Sequence, residues 1–406
     1  MPSTFVYKVR DPGGKVIEGQ LEADSAALVV DKLRSMGYTP ISVDARSENK
    51  FSADLKIPGL SNRVSLKDVA VMSRQFATMI DSGLSILRSL AILADQTENK
   101  ELGRIIGEVR LDVERGASLS AALVRHPKAF NRLYVAMVRS GETSGTLDSV
   151  LIRLADTIEK QVELRRKVKS AMTYPVMVGA VVFTIAMIML VFIVPQFEDI
   201  YHSLDGELPA PTKLLLGISR IVRTLFPVLI VGGIIAFFLF RRWINTQSGR
   251  AIWDRFKLRM PIFGGLIRKT ALARFARTLA SLTRAGVPIL ESLEIVADTA
   301  GNTVVANAVH DTQRAVKGGD SIARPLEQHE VFPPMVVQMM AVGEETGALD
   351  EMLEKIAEFY EQEVEATVDA LTSLIEPLLI VVMGVMVGGM IVALYLPLFN
   401  IIKLIQ

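Results

Sequence analysis

The sequence predicts an all-α membrane protein with two homologous helical bundles, three transmembrane helices and a small α+β module at the amino terminus. A polar motif of eight residues occurs twice, 202 positions apart, and each copy is followed by a long apolar run. The composition is 50% hydrophobic and 22% charged. This is too apolar for an ordinary soluble protein and too charged for a protein made mostly of membrane spans.

The duplicated motif has the pattern Gly-Glu-x-x-Gly-x-Leu-Asp. Its residues are Gly141, Glu142, Gly145, Leu147 and Asp148 in the first copy, and Gly343, Glu344, Gly347, Leu349 and Asp350 in the second. At the same offset Pro175 recurs as Pro377. A spacing that is kept through an apolar segment indicates that a whole unit was duplicated. In each unit a polar helical region leads into a membrane span.

Three apolar runs are each long enough to cross a bilayer, which takes about 20 residues of helix. They are residues 171–195, 213–240 and 373–402. The second run contains Arg220 and Arg223, whose long side chains can reach the membrane interface.

Basic residues flank the first two spans and predict their orientation. They are Arg165, Arg166, Lys167 and Lys169 before the first span, and Arg241, Arg242, Arg250 and Arg255 after the second. Positive flanks mark the cytoplasmic side of a span. Residues 1–170 and 241–372 are therefore predicted to be cytoplasmic, and the loop 196–212 is predicted to lie outside.

The first 46 residues are predicted to form a separate α+β module, followed by a linker at 47–64. The predicted elements are strands at 5–9 and 16–21 around a turn at 11–14, a helix at 23–36, and a strand at 39–43. Asp24 or Ser25 is the expected N-cap of the helix, and Gly37 its terminator.

Residues 65–170 and 241–372 are each predicted to form a helical bundle. Leu102, Ile105, Ile106 and Val109 have the spacing of one buried helix face. A second apolar stripe is formed by Leu84, Leu87, Leu90, Ala91 and Ala94. Strand signals are absent from both regions, so an antiparallel bundle of about 100 residues is expected for each copy.

The repeated motif allows three interpretations. It can punctuate helices, with Gly141 ending one helix, Thr146 capping the next and Asp148 favouring the positive end of the helix dipole. Alternatively, Glu142 and Asp148 contact a partner protein or bind a divalent metal. Two carboxylates without further oxygen ligands are a weak indication of calcium.

Two other features accompany each copy. Pro175 and Pro377 are expected to kink their helices where these enter the membrane. Each bundle also ends in an acidic helix, which is expected to face solvent and to meet a basic surface of a partner. The acidic residues are Glu159 and Glu163 in the first copy, and Glu354, Glu358, Glu361 and Glu365 in the second.

No catalytic group or cofactor site is apparent in the sequence. The chain has no cysteine, so neither a disulfide nor a thiolate metal site can form. Its four histidines lack the spacing of a zinc protease, and no phosphate-binding loop occurs. A net charge of +1 gives no reason to expect nucleic acid as a partner. We therefore expect neither an enzyme, nor a cofactor, nor a metal.

Several motifs together resemble those of one bacterial family. They are the duplicated Gly-Glu-x-x-Gly-x-Leu-Asp, residues 277–280 (Arg-Thr-Leu-Ala), residues 285–293, the amino-terminal segments 15–23 and 37–41, and the ending at 394–399. The chain resembles the inner-membrane platform proteins of type IV pilus and type II secretion machines, the type II secretion F protein family. The first copy departs from this pattern only at 74–77, which reads Arg-Gln-Phe-Ala.

The resemblance implies six helices in each cytoplasmic bundle and a non-enzymatic hub in the bacterial inner membrane. The implied partners are a hexameric cytoplasmic ATPase, pilins or pseudopilins, other inner-membrane assembly proteins, the lipid bilayer and further copies of the chain in a homo-oligomer. Type IV pilus assembly is the implied function, with type II secretion as the alternative. A membrane transporter is a distant alternative, since it would need more spans with polar groups inside them.

Overall fold

The computed structural model describes residues 3–10, 16–23, 26–45, 63–196, 210–261 and 263–404. The chain divides into two compact units, residues 1–63 and 64–406. The described residues are mostly helical, as the fold class predicts.

The amino-terminal unit contains an antiparallel sheet with the strand order β2-β1-β3. Its elements are β1 (Ser3–Arg10), β2 (Val16–Ala23), α1 (Ala26–Ser35) and β3 (Thr39–Ala45). Val29 and Leu33 of α1 form a small core with Phe5 and Val9 of β1. The predicted order of elements is thereby confirmed.

The predicted start of α1 was wrong, because Ala23 pairs with Ser3 at the end of β2 and the helix begins at Ala26. Gly37 ends the helix as predicted, with a φ of 84°. The turn at 11–14, the N-cap at 24 or 25 and the linker at 47–62 lie outside the described residues.

Six helices form the first bundle. They are α2 (Leu66–Asp81), α3 (Ile86–Gln96), α4 (Lys100–Glu114), α5 (Leu119–Val124), α6 (Arg132–Ser144) and α7 (Leu147–Ile188). The predicted apolar face of α4 is buried. The stripe predicted for α3 was partly wrong, because Leu84 lies in the preceding turn and Leu87 is 40% exposed. The buried apolar positions of α3 are Leu90 and Leu93.

The second bundle repeats this order. Two helices precede it, α8 (Ala210–Ile244) and α9 (Gln247–Arg259). Its own helices are α10 (Phe263–Arg284), α11 (Ile289–Thr299), α12 (Thr303–Lys317), α13 (Ala323–Glu327), α14 (Pro334–Thr346) and α15 (Leu349–Leu404). Both bundles contribute to one continuous hydrophobic core.

Two segments are long and apolar enough to cross a membrane, Leu147–Gln196 and Leu349–Ala393. The first segment contains the first predicted span, 171–195, and the second covers residues 373–393 of the third predicted span. Helix α7 continues through a short π-helix (Met189–Ile193), so the last helix of the bundle and the span form one uninterrupted helical segment. The same holds for α15. The second predicted span lies in α8, which is not one of these two segments in the described part of the chain.

Helix α8 is nevertheless tied to both apolar segments by side-chain hydrogen bonds. Thr212 Oγ1 donates to the carbonyl oxygen of Ala393 over 2.6 Å. Ser219 Oγ donates to the carbonyl oxygen of Leu190, which lies in the π-helix. A π-helical turn changes the backbone pairing and frees carbonyl groups for such bonds.

Candidate functional site

The two glycines of each motif have different structural roles, one in the turn and one in the helix contact. Gly145 and Gly347 end α6 and α14 with φ values of 70° and 72°, in the left-handed region where glycine is favoured. Gly141 was predicted to end α6, but it lies inside that helix and is buried. A Cβ at Gly141 would lie 3.1 Å from the Cα of Leu147, and one at Gly343 would lie 2.9 Å from the Cα of Leu349. Gly141 and Gly343 therefore permit close contact between the helices on either side of the turn.

The remaining positions of the turn are explained by packing and the helix dipole. Thr146 was predicted to cap α7, but its side chain makes no capping bond, and its Oγ1 lies 2.7 Å from Ser144 Oγ. Asp148 lies in the first turn of α7 as predicted. Leu147 and Leu349 pack against the common core.

Glu142 and Glu344 bind helix ends within their own bundles. The Glu142 carboxylate accepts hydrogen bonds from the backbone N–H of Leu119 and, over 3.0 Å, from that of Ser120. Glu344 accepts one from the N–H of Ile322 over 2.9 Å. A carboxylate is favoured there, because the first N–H groups of a helix lack partners and carry partial positive charge. The geometry thus favours the interpretation in which the motif caps helices. The helices that the two glutamates cap are α5 and α13, and not the helices next to the motif.

The described residues do not form a cluster of metal ligands. They contain no group of three or more histidine, aspartate or glutamate side chains able to hold an ion. The oxygens of Glu142 are already directed at backbone donors.

A duplicated ion pair links the first and last helix of each bundle. Arg74 of α2 binds Glu159 through two bonds of 2.8 and 2.6 Å. Arg277 of α10 binds Glu361 through two bonds of 2.9 and 2.8 Å. The Arg74 guanidinium lowers the pKa of the Glu159 carboxyl below its ordinary value. Sequence reasoning missed these pairs, although both arginines and both glutamates recur at nearly the same spacing.

The acidic helices enclose a charged cleft of about 710 Å³ between α7, α10 and α15. Their acidic residues were predicted to face solvent and to meet a partner, which stays a prediction, and each also lies within ion-pair distance of a cation of the same chain. The pairs are Glu159–Arg74, Glu163–Lys167, Glu354–Arg284, Glu358–Lys355, Glu361–Arg277 and Glu365–Lys167. The cleft is therefore largely neutralised from within, and the Lys167–Glu365 pair joins the two bundles.

The bundles contact each other through different helices of each copy. Ser140 Oγ of α6 donates to the carbonyl oxygen of Ala285 over 2.5 Å. The hydroxyl oxygens of Thr157 in α7 and Ser281 in α10 lie 2.8 Å apart. An additional ion pair of 2.8 Å joins Arg132 to Glu294 of α11. The helices α6 and α7 of the first bundle thus meet α10 and α11 of the second.

The two membrane-entry prolines lie inside long helices. Pro175 lies within α7 and Pro377 within α15. Each removes one backbone N–H from its helix. The kinks expected at these positions remain predictions.

The fold defines a class of membrane-associated protein in which a helical bundle occurs twice, each time continuous with an apolar helix. Comparison with known families agrees. The model of type II secretion system protein F matches residues 72–195 and 275–397, and the model of its N-terminal domain matches residues 1–44. The chain belongs to this family, as its motifs predicted.

Curated relatives are similar over nearly the whole chain. The type IV pilus assembly protein PilC of Thermus thermophilus is 46% identical, with 98% of each chain covered. The protein of the same name from Myxococcus xanthus is 41% identical, over 99% of this chain and 96% of the relative. The type II secretion system protein F of Pseudomonas aeruginosa is 34% identical, over 99% of this chain and 100% of the relative.

Proposed function

We propose that this protein is the non-enzymatic inner-membrane platform of a type IV pilus assembly machine. It couples a hexameric cytoplasmic ATPase to the extraction of pilins from the bilayer and to their polymerisation into a fibre, together with other inner-membrane assembly proteins. The observation that carries the proposal is the uninterrupted connection of each bundle to an apolar helix. Such a helix can transmit a cytoplasmic movement into the membrane.

The degree of similarity favours a pilus machine over a secretion machine. Two pilus assembly relatives are 46% and 41% identical, compared with 34% for the secretion relative named above. The alternative is the equivalent platform of a type II secretion system, which would act on pseudopilins.

Deletion of the gene tests this function. Surface fibres should be lost while pilin still accumulates in the inner membrane, and secretion should persist. The purified protein should hydrolyse no ATP, but it should bind the assembly ATPase and change its turnover. Normal fibres in a deletion strain that has no second copy of the gene would contradict the proposal. Loss of secretion with normal fibres would support the alternative.

The proposed topology has three spans, with α8 as the second. The bonds of α8 to Ala393 and Leu190 support this placement, as do Arg241 and Arg242 in its last turn. Both bundles are then cytoplasmic, and the loop 196–212 is periplasmic.

Cysteine labelling can test the topology cleanly, because the chain has no native cysteine. A membrane-impermeant thiol reagent applied to spheroplasts should label Ser203→Cys. It should label Lys128→Cys, at an exposed site of the first bundle, only after lysis. Labelling of Lys128→Cys before lysis would show that the orientation is wrong.

A homo-oligomer is part of the proposal, and the contact between the two bundles suggests its geometry. Part of that contact is head to tail, since α6 and α7 of one copy meet α10 and α11 of the other, while α7 and α15 also meet through the Lys167–Glu365 pair. The equivalent head-to-tail surfaces, around Val342 and Phe359 of α14 and α15 and around Thr78 of α2, are exposed in the described part of the chain. A head-to-tail contact that is repeated between chains generates a closed ring or an open array.

The free surfaces have side chains that suit a second copy of the chain. The counterparts of Ser140 and Thr157 are Val342 and Phe359, which are 51% and 42% exposed. The counterpart of Ser281 is the exposed Thr78. Arg153 donates to the carbonyl oxygen of Arg284 within the chain, and the counterparts of these two residues are Lys355 and Asp81, which have opposite charges.

Disulfide trapping tests this assembly. Coexpressed chains carrying Thr78→Cys and Phe359→Cys should form a cross-linked dimer in membranes. Thr157→Cys with Ser281→Cys in one chain is the matched control, which should close within the monomer. Leu111→Cys on α4, 41% exposed, should not link to Phe359→Cys. A closed control without the Thr78–Phe359 dimer would contradict the head-to-tail arrangement. Self-linking of Phe359→Cys would indicate a two-fold interface instead.

A further inference from the structure

Five basic side chains line a pocket of about 300 Å³ between α7 and α10. Lys160 and Arg277 are paired with Glu163 and Glu361, which leaves Arg165, Lys169 and Arg274. Arg165 and Lys169 come from α7, and Arg274 comes from α10. Within the described part of the chain, none of the three side chains takes part in a hydrogen bond or an ion pair. This distinguishes the pocket from the neighbouring acidic cleft, in which the charges are paired.

Arg274 is the most enclosed of the three. Burial and the charge of Arg165 lower the pKa of Arg274 from its ordinary value. Its guanidinium lies against the backbone of Gly301, where any Cβ would collide with it. An enclosed cation beside a second cation is unfavourable unless an anion compensates for both.

The positive charges of Arg274 and Arg165 are not repeated at the equivalent positions of the other copy. The counterpart of Arg274 in the first bundle is Val71, and the counterpart of Arg165 in the second is Thr367. Glu361 also lines the pocket, but both of its oxygens are bound by Arg277. The positive potential of the three cations is therefore specific to this one place.

One part of the pocket wall is apolar and continues toward the predicted span. It is formed by Leu164, Val168, Met172 and Ala273. Val168 also packs against Leu266 at the start of α10, together with Ala171, the first residue of the predicted span. A cluster of cations beside an apolar wall at the cytoplasmic edge of a span matches a phospholipid, which has a phosphate next to its acyl chains.

We propose that this pocket binds the phosphate headgroup of an anionic phospholipid of the cytoplasmic leaflet. Arg165, Lys169 and Arg274 hold the phosphate, and Leu164, Val168 and Met172 contact an acyl chain. The inference rests on the cytoplasmic placement of the bundles in the proposed function. It predicts that the lipid is wedged between the last helix of the first bundle and the first helix of the second.

Lipid binding to the purified full-length protein tests this pocket independently of pilus assembly. The probes are phosphatidylglycerol, phosphatidylethanolamine and inorganic phosphate, each added to delipidated protein in neutral detergent. Retention of lipid is read by native mass spectrometry, and stability is read by the melting temperature. Phosphatidylglycerol should bind and stabilise the protein, whereas the other two probes should have little effect. An equal effect of inorganic phosphate would overturn the assignment to a lipid.

Arg274→Met is the decisive variant. It should weaken phosphatidylglycerol binding about fivefold, the effect expected for one basic residue at a membrane surface. Without lipid it should melt at a higher temperature than the parent, because it removes an uncompensated enclosed charge. Arg166→Gln is the matched control, a neighbouring cation outside this pocket, and should bind lipid normally.

Two results would overturn the proposal. One is that Arg274→Met binds phosphatidylglycerol as tightly as the parent does. The other is that it melts at a lower temperature both with and without lipid, which would indicate a purely structural arginine. A defect in fibre assembly with normal lipid binding would leave the proposed function standing while rejecting this site.

Discussion

The first bundle meets the second through Thr157, a buried residue of α7, whereas the equivalent position of α15 is Phe359, which is 42% exposed. Half-buried Ser140 likewise contacts the second bundle, whereas its counterpart Val342 is 51% exposed. Inside the bundles the two copies agree: Gly145 and Gly347 both have positive φ. The duplicated bundles thus keep the turn that each needs to fold, whereas the residues on their outer faces differ with their neighbours.

The most destabilising substitutions are expected at the helix contact of the repeated turn. Gly343→Val and Gly141→Val should destabilise their bundles by about 3 kcal/mol, because the added atoms would collide with backbone. The effect should be larger at Gly343, where the contact is closer. Hydrogen exchange measured by mass spectrometry reports each bundle separately. Gly107→Val, in open space on α4, is the control and should change little.

A smaller effect is expected from the glutamate of each motif. Glu142→Ala should destabilise the first bundle by about 2 kcal/mol, since it leaves two N–H groups of α5 without a partner. Glu344→Ala should cost less, because Ile322 supplies a single N–H group. The same exchange measurement should show lost protection at the start of α5 and of α13. Unchanged protection together with lost calcium binding in calorimetry would support the metal interpretation instead.

The smallest predicted effects concern the duplicated ion pairs. The side chains of Arg277 and Glu361 are 13% and 20% exposed, compared with 38% and 43% for Arg74 and Glu159. Arg277→Gln should therefore cost about 1 kcal/mol and Arg74→Gln less than that, because solvent screens the more exposed pair. Unfolding of the purified protein in urea can rank the two variants. Equal losses would show that the difference in burial has no energetic consequence.

The pH dependence of the Arg74 pair has a defined sign. Arg74 lowers the pKa of Glu159 in the folded state. The stabilisation is then fully present above the ordinary pKa of a glutamate, about 4.3, and is lost as the pH falls through the lowered value. The stability difference between the parent and Arg74→Gln should thus be constant near neutral pH and shrink in acid. A difference that grows in acid would contradict the assignment.

The sequence predicted the features that depend on local pattern. The duplication, the helix stripe of α4 and the two longest apolar helices were all readable from spacing and composition. It could not distinguish Gly141 from Gly145, because either glycine tolerates the turn and only the packing of α6 on α7 decides between them. The partners of Glu142 and Glu159 lie 22 to 85 residues away in the chain. Such distances are set by tertiary packing, which no local pattern records.

Helix α15 runs from Leu349 to Leu404, 56 residues. At ~1.5 Å per residue it is about 84 Å long. A bundle that continues into such a helix has no loop between its polar end and its apolar end. A rotation or tilt of the bundle is therefore transmitted along helix α15. Pro377 removes one backbone hydrogen bond, so the helix bends most easily at this residue. Pro175 has the equivalent position in α7, so each of the two long helices lacks one backbone hydrogen-bond donor at the corresponding place.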